Sequence, residues 1–261
     1  MAPVTPLVEL HDRLLDIGGE VWATGPTAAA LYGFDGYTLR RPFHVLVPRE
    51  RHLSRRDIRL HRSDRIELID VGTVDDIAVT SPARTIIEIA RVAGRESLAR
   101  CLDSALRDGL LSEDLMHRRI VALRSRGRHG LPALLDVLTR REAARGGHSW
   151  LEREYLRLLE AAGLPRPETQ QVVASANGRL VRVDCRFPGT AVVVELLGYT
   201  FHRTRAQMSA DAARYNAMLA AGCLPYQFTY EQVAGSPDAV VADTARALDL
   251  PLPPEALRQS K

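Results

Sequence analysis

Lysine is almost missing from this sequence: 34 of its 35 basic residues are arginine, and the single lysine is Lys261. Two explanations stand side by side. A GC-rich coding bias produces that replacement with no functional demand behind it. Phosphate recognition favours it as well, because a planar guanidinium grips phosphate through two parallel hydrogen bonds. Aromatic residues are scarce too, at 5%, which argues against stacked bases as the main mode of binding. Only three cysteines occur, Cys101, Cys185 and Cys223, far apart and in no CxxC or CxxH spacing. That points away from a disulfide framework or structural zinc and toward reduced thiols. No apolar run reaches the roughly 18 residues of a membrane-spanning helix. The N-terminal stretch lacks the basic-then-apolar order of a signal peptide, so a cytoplasmic location with no membrane partner is expected.

What is present is ordinary in bulk. The 261 residues are 46% hydrophobic and 26% charged, with a net charge of +3, which suits a globular chain of one large or two smaller domains. Apolar spacing predicts a helix over 7–17, with Leu7, Leu10, Leu14 and Ile17 on one face, stopped by Gly18-Gly19. A short strand at Val21–Ala23 precedes a helix opened by Thr24-Gly25-Pro26-Thr27. Strands are expected at Phe43–Val47, Ile58–Arg62, Ile66–Val71 and Ile77–Val79. Thr80-Ser81-Pro82 starts a helix whose inward face is Ile86, Ile87, Ile89 and Ala90. Helices near 96–107, after Ser112 and over 131–138 follow. Two Gly- and Arg-rich breakers, 124–130 and 140–147, place the domain boundary between 126 and 147. Beyond it the pattern reads helix, three-stranded meander (169–175, 179–187, 191–197), helix (204–221), strand (225–229), helix (238–247). The expected class is therefore α/β of the α+β kind. An N-terminal mixed α/β domain spans 1–126, a connecting region 127–147, a second domain with a central mixed sheet flanked by helices 148–250, and a tail 251–261.

The chemistry-bearing residues are few. Asp184 interrupts one β-branched strand and Glu195 the next, where an unpaired carboxylate is expensive. An arginine, a hydrogen-bond network or a metal ion would each resolve that cost. Glu152 lies in the first turn of the preceding helix, where Ser149 and Glu152 also fit a capping box. Asp184 has Arg182, Arg186 and Arg214 as candidate ion-pair partners. The densest charge cluster runs from Arg49 to Arg65 and includes Arg55, Arg56 and Arg59. It reads either as a nucleic-acid contact or as a solvated edge that resists aggregation.

Glu152, Asp184, Glu195-Leu196-Leu197-Gly198, His202, Asp211-Ala212-Ala213-Arg214, Leu219 and Gly222 together resemble the PD-(D/E)xK restriction-endonuclease-like superfamily. The nearest branch is the domain of unknown function related to very-short-patch-repair (Vsr) endonucleases, over about residues 148–234. Two positions depart from that pattern: Leu197 stands where an acid or lysine is usual, and Gln227 where an arginine is usual. Upstream, Ala28-Ala29-Ala30-Leu31-Tyr32-Gly33 and Val79-Thr80-Ser81-Pro82-Ala83-Arg84-Thr85 resemble the AbiEi abortive-infection antitoxin proteins. The first resemblance implies Mg²⁺-dependent hydrolysis of DNA, with Mn²⁺ as a substitute ion. In that reading Asp184 and Glu195 hold the metal, Glu152 positions water and His202 meets the phosphate. Arg203, Arg205 and Arg214, with Arg55, Arg56 and Arg59, would contact the DNA backbone. The second resemblance implies the alternative: a non-catalytic DNA-binding or regulatory protein of the antitoxin type, with a cognate toxin as partner in a toxin–antitoxin or phage-defence setting.

Overall fold

A computed structural model describes residues 5–51, 57–123, 130–145, 149–176, 178–198 and 205–251. The class is α+β, with two mixed sheets. The chain divides into two compact units, Met1–Arg140 and Arg141–Lys261.

The first unit opens with α1 (Pro6–Ile17), capped by the Thr5 hydroxyl, and buries Leu10, Leu14 and Ile17. Leu7 belongs to the same predicted stripe but is 37% exposed. Then come β1 (Trp22–Ala23), α2 (Gly25–Leu31), β2 (Phe43–Pro48) and β3 (Ile58–Ser63). A 3₁₀ turn at Leu68–Asp70 leads into β4 (Val71–Val74), β5 (Ile77–Thr80) and α3 (Pro82–Ile89). The helices α4 (Arg95–Arg107), α5 (Glu113–Ala122) and α6 (Leu131–Arg145), the last belonging to this unit as far as Arg140, complete the run. The sheet order is β3-β2-β1-β5-β4. β1 pairs antiparallel with β2 and parallel with β5, β2 pairs parallel with β3, and β4 antiparallel with β5. The core forms where α1 lies on Phe43, Val45, Val47, Ile77 and Val79.

Two predicted elements differ. Ile66–Val71 is not a strand: Leu68 is 93% exposed, and the backbone turns so that Asp70 can enter the interior with no exposed surface. The polar anchor overrides a β-like composition. The stretch 140–145 is not a breaker either, since α6 continues through Arg145. Arginine, glutamate and alanine are all good helix formers. The Arg-rich loop at 124–129 lies outside the described residues, but Gly130 at its end has a packing reason. It has φ +96°, and a Cβ there would fall 2.1 Å from the Ala90 carbonyl oxygen.

A polar knot lies inside this unit. Arg84, fully buried, donates to Glu88 Oε1 (2.8 Å), Ser63 Oγ (2.9 Å), the Arg65 carbonyl (2.8 Å) and Asp70 Oδ2 (3.3 Å). Asp70 Oδ1 in turn accepts from Arg119 at 2.8 Å, and Arg119 also reaches Glu67 at 3.0 Å. The end of β3, the 3₁₀ turn, α3 and α5 are thereby joined through two guanidinium groups. Every oxygen of Asp70 has a donor, which buried carboxylates require.

The second unit follows the predicted order closely. Here α7 (Trp150–Ala161) precedes the meander β6 (Glu168–Ala176), β7 (Arg179–Arg186) and β8 (Val192–Leu197). Next come α8 (Arg205–Ala220), β9 (Leu224–Thr229), α9 (Tyr230–Gly235) and α10 (Pro237–Ala247). The sheet order is β6-β7-β8-β9, antiparallel except that β8 and β9 run parallel. The four predicted inward residues of α7, Leu151, Tyr155, Leu158 and Leu159, are all buried. Sequence reading passed over α9, although Thr229 and Gln232 form its capping box, a signal legible in the Thr-x-x-Gln spacing.

Removing Arg84 should expose the cost of the knot. Arg84→Ala removes one of the two guanidinium partners of each buried carboxylate, Asp70 keeping Arg119 and Glu88 keeping Arg91, and is expected to destabilise the first unit by about 3 kcal/mol. Arg84→Lys, which cannot reproduce the fork of donors, should lose part of that. Urea unfolding followed by circular dichroism reads both, and a loss below about 1 kcal/mol for Arg84→Ala would contradict the structural role.

Candidate functional site

The carboxylates of the second unit meet where β7 and β8 part. Their ladder consists of two pairs, Cys185 with Val194 and Arg186 with Val193. Continued by one step, that register sets Asp184 opposite Glu195. On the other side Glu195 is in register with Gln227 of β9. Directly opposed residues share a sheet face, so Asp184, Glu195 and Gln227 share one, and all three line a cavity of about 450 Å³ with Asp211, Arg214 and Tyr215 of α8. Leu197, two residues beyond Glu195, lines it as well.

Where the ladder stops, side chains take over its hydrogen bonds. Asp184 Oδ2 accepts the Leu196 N–H at 2.8 Å, and its Oδ1 accepts from the Gln170 amide at 3.3 Å. Arg214 donates to the Arg182 carbonyl on β7 and to Glu195 Oε1 on β8. Gln227 lies 3.5 Å from the second Glu195 oxygen. Glu195 is buried, 6% exposed, and Arg214 supplies its counter-charge. Of the three arginines expected as partners for Asp184, none holds it directly; backbone and amide donors do.

Burial raises the Asp184 carboxyl above its ordinary value of 3.8. The Leu196 and Gln170 donors and the Arg214 charge oppose that shift, while the charge of Glu152 adds to it. Glu152 therefore lies near enough for its field to be felt at Asp184, as the expected site requires. Its own position is fixed by the helix cap: Ser149 Oγ accepts the Glu152 N–H at 3.3 Å and lies 3.4 Å from Glu152 Oε1. The capping role and the proximity to Asp184 coexist.

The other expected site residues are dispersed. Arg205 is the exposed first residue of α8, and Arg59 is exposed on β3 of the first unit, in register with His44. His202, Arg203, Arg55 and Arg56 lie outside the described residues. Sequence reading assigned no role to Tyr215 or Asn216. Both line the cavity beside Asp211 and Ala212, and the i, i+4 spacing of 211, 212, 215 and 216 was the available signal.

Mg²⁺ needs carboxylate oxygens open to it and completes its octahedron with water and phosphate oxygens. Here both Asp184 oxygens have donors and one Glu195 oxygen carries Arg214. Among the described residues no group of three or more His, Cys, Asp or Glu is placed to hold a metal ion. As arranged, the guanidinium of Arg214 is the cation that meets Glu195.

Residues 21–138 match the AbiEi antitoxin C-terminal domain family. The match begins just before β1, takes in the whole five-stranded sheet and ends within α6. Two Mycobacterium tuberculosis proteins, from strains CDC 1551 / Oshkosh and H37Rv and both bearing the name uncharacterized protein, are 28% identical over 233 residues. That alignment covers 89% of this chain and 83% of each relative, so the similarity takes in parts of both units. None of these matches names a restriction-endonuclease-like domain. No solved structure matches the chain. Among the described residues no helix is long and apolar enough to cross a membrane.

Two measurements separate the roles of Asp184. Asp184→Ala leaves the Leu196 N–H without an acceptor and should cost about 1–3 kcal/mol of stability, whereas Asp184→Asn keeps an acceptor and should cost much less. Asp184 retains its proton to higher pH in the folded state than in the unfolded one. Its ionised form therefore opposes folding above the folded pKa, and the opposition is relieved as pH falls through that pKa toward 3.8. Carboxyl-carbon NMR should place its titration above 3.8, lower in Glu152→Gln and higher in Arg214→Ala. The reverse order would contradict the geometry.

Proposed function

We propose that this chain is a non-catalytic regulatory protein of the AbiEi antitoxin type, which binds DNA and a cognate toxin. The observation that carries the reading is the family match over residues 21–138, which covers the first unit's sheet and its polar knot. The pocket of the second unit agrees with it. Its central carboxylate is neutralised by Arg214, and Leu197 offers no polar group where catalysis of phosphodiester hydrolysis would use one. Arginine as nearly the sole cation supports contacts with backbone phosphate. Such contacts release counterions and make binding steeply salt-dependent.

The full chain should retain duplex DNA at low salt, release it between about 50 and 200 mM salt, and leave it uncut with or without EDTA. Co-expression with its cognate toxin should restore growth. Absence of DNA retention at low salt, together with failure to relieve the toxin, sinks this reading.

A second reading, Mg²⁺-dependent hydrolysis of DNA, is favoured by one observation: the Glu152 charge acts on Asp184 at the mouth of the divided strands. It requires Arg214 to leave Glu195. Among the described residues Arg214 Nε is buried without an acceptor, so the pair that would have to break is incompletely satisfied there. Nicked, mismatched and supercoiled DNA incubated with Mg²⁺ or Mn²⁺ decides it. Cleavage that Asp184→Ala abolishes would establish the enzyme, and intact DNA with both proteins would remove it.

A further inference from the structure

A second cavity, in the first unit, has a different chemistry. It measures about 290 Å³ and lies between the first turn of α2, the 36–42 loop and the start of β2. Its polar wall includes Thr27, Thr38, Arg40, Arg41 and His44, and among the described residues no carboxylate lines it. Arg40, whose charge meets no acid among the described residues, makes this a site that attracts anions.

Three of these groups have donor capacity not yet used. Arg40 has no ion-pair or hydrogen-bond partner among the described residues, in a unit where Arg13, Arg49, Arg84, Arg107 and Arg119 are all paired. Arg41 is paired with Glu9 through one guanidinium nitrogen, which leaves the remaining N–H groups of the fork. Thr27 Oγ1 accepts the His44 backbone N–H at 2.8 Å, so its own proton is available to another acceptor.

His44 is the most telling member. It is 9% exposed, and its ring stacks on His61 with Nδ1 3.0 Å from His61 Nε2. Burial, then the His61 and Arg59 charges, push its pKa down to about 4, so the ring is neutral at pH 7. One proton occupies the gap between the two rings. When His61 supplies it, His44 carries its own proton on Nε2, which meets no partner among the described residues. Because His44 lines the cavity, an acceptor bound there would come within reach of that ring N–H.

We propose that this niche binds a phosphoryl group, with Arg40 and Arg41 meeting its charge and Thr27, Thr38 and the His44 ring donating to its oxygens. The volume is at the small end of ligand pockets, which suits a phosphate with its sugar and excludes a dinucleotide held whole. The phosphoryl group belongs either to a free nucleoside phosphate or to a nucleic-acid backbone. The inference stands independently of the antitoxin reading, since it rests on the niche alone.

The test uses the full chain labelled with ¹⁵N at histidine, titrated in turn with inorganic phosphate, a nucleoside 5′-monophosphate and a short DNA duplex. A saturable shift of the His44 ring nitrogens is expected. Binding should weaken at least about tenfold in Arg40→Ala, the loss of one charge-assisted contact. Arg40 is exposed and holds nothing else, so that variant should fold normally, which a thermal melt checks. Arg100→Ala, an exposed arginine paired within α4, should bind as the parent does. Tighter binding of the duplex than of the monophosphate assigns the group to a nucleic acid, and the opposite order assigns it to a soluble nucleotide. No saturable His44 shift with any of the three probes, or the same affinity in Arg40→Ala, overturns the proposal.

Discussion

A fully buried guanidinium is the constraint on which the first unit depends. Arg84 has no contact with solvent and four acceptors around it. A charge in that position is tolerable only if every neighbour is in place, so its presence dictates the neighbours. Ser63 and Arg65 must end β3 beside it. The chain must turn at Leu68–Asp70 to deliver a carboxylate. Arg119 must arrive from α5 to satisfy the far side of Asp70. Apolar burial supplies the bulk of the driving force, but it is indifferent to detail. The knot supplies the geometry, and through it the junction from β5 to α3. Ser81 at that junction caps α3 and donates its own N–H to the Asp70 carbonyl.

The second unit uses a related device. Where β7 and β8 diverge, backbone groups would be left unpaired, and buried backbone groups rarely stay so. Asp184 and Arg214 reach in and satisfy them, and Glu195 neutralises the arginine. Three residues that look like a reactive cluster are therefore doing the work of a strand ladder. The same cluster opens a cavity of about 450 Å³, so a structural solution leaves behind a space with polar walls. A pocket of that kind keeps its residues for architectural reasons whether or not it carries chemistry.

The two cavities have opposite characters. Among the described lining residues, Asp184, Glu195 and Asp211 outnumber Arg214 in the second unit; in the first, Arg40, Arg41 and hydroxyls line the cavity with no acid on its wall, Arg41 being paired with Glu9 outside it. Attraction of phosphate follows from the second arrangement and not from the first. Counting arginines in the chain could not have separated them, because most of the described arginines of the first unit are consumed by ion pairs.

By itself the sequence determined the α+β class, the order of elements from α7 to β9, and the odd placement of Asp184 and Glu195. These are local properties: period, turn chemistry and the cost of a carboxylate among β-branched residues. It also contained the Thr-Ser-Pro start of α3 and the arginine that follows. It did not determine where Ile66–Val71 would turn, or that α6 would run on to Arg145. It also could not show that Arg84 is buried, since a charged residue in a helix is normally solvated. Nor did it pair Arg214 with Glu195, or bring His44 against His61 across 17 residues. Those outcomes are contacts between elements distant in the chain. They depend on which strands adjoin and where a ladder stops, and only the tertiary structure decides that.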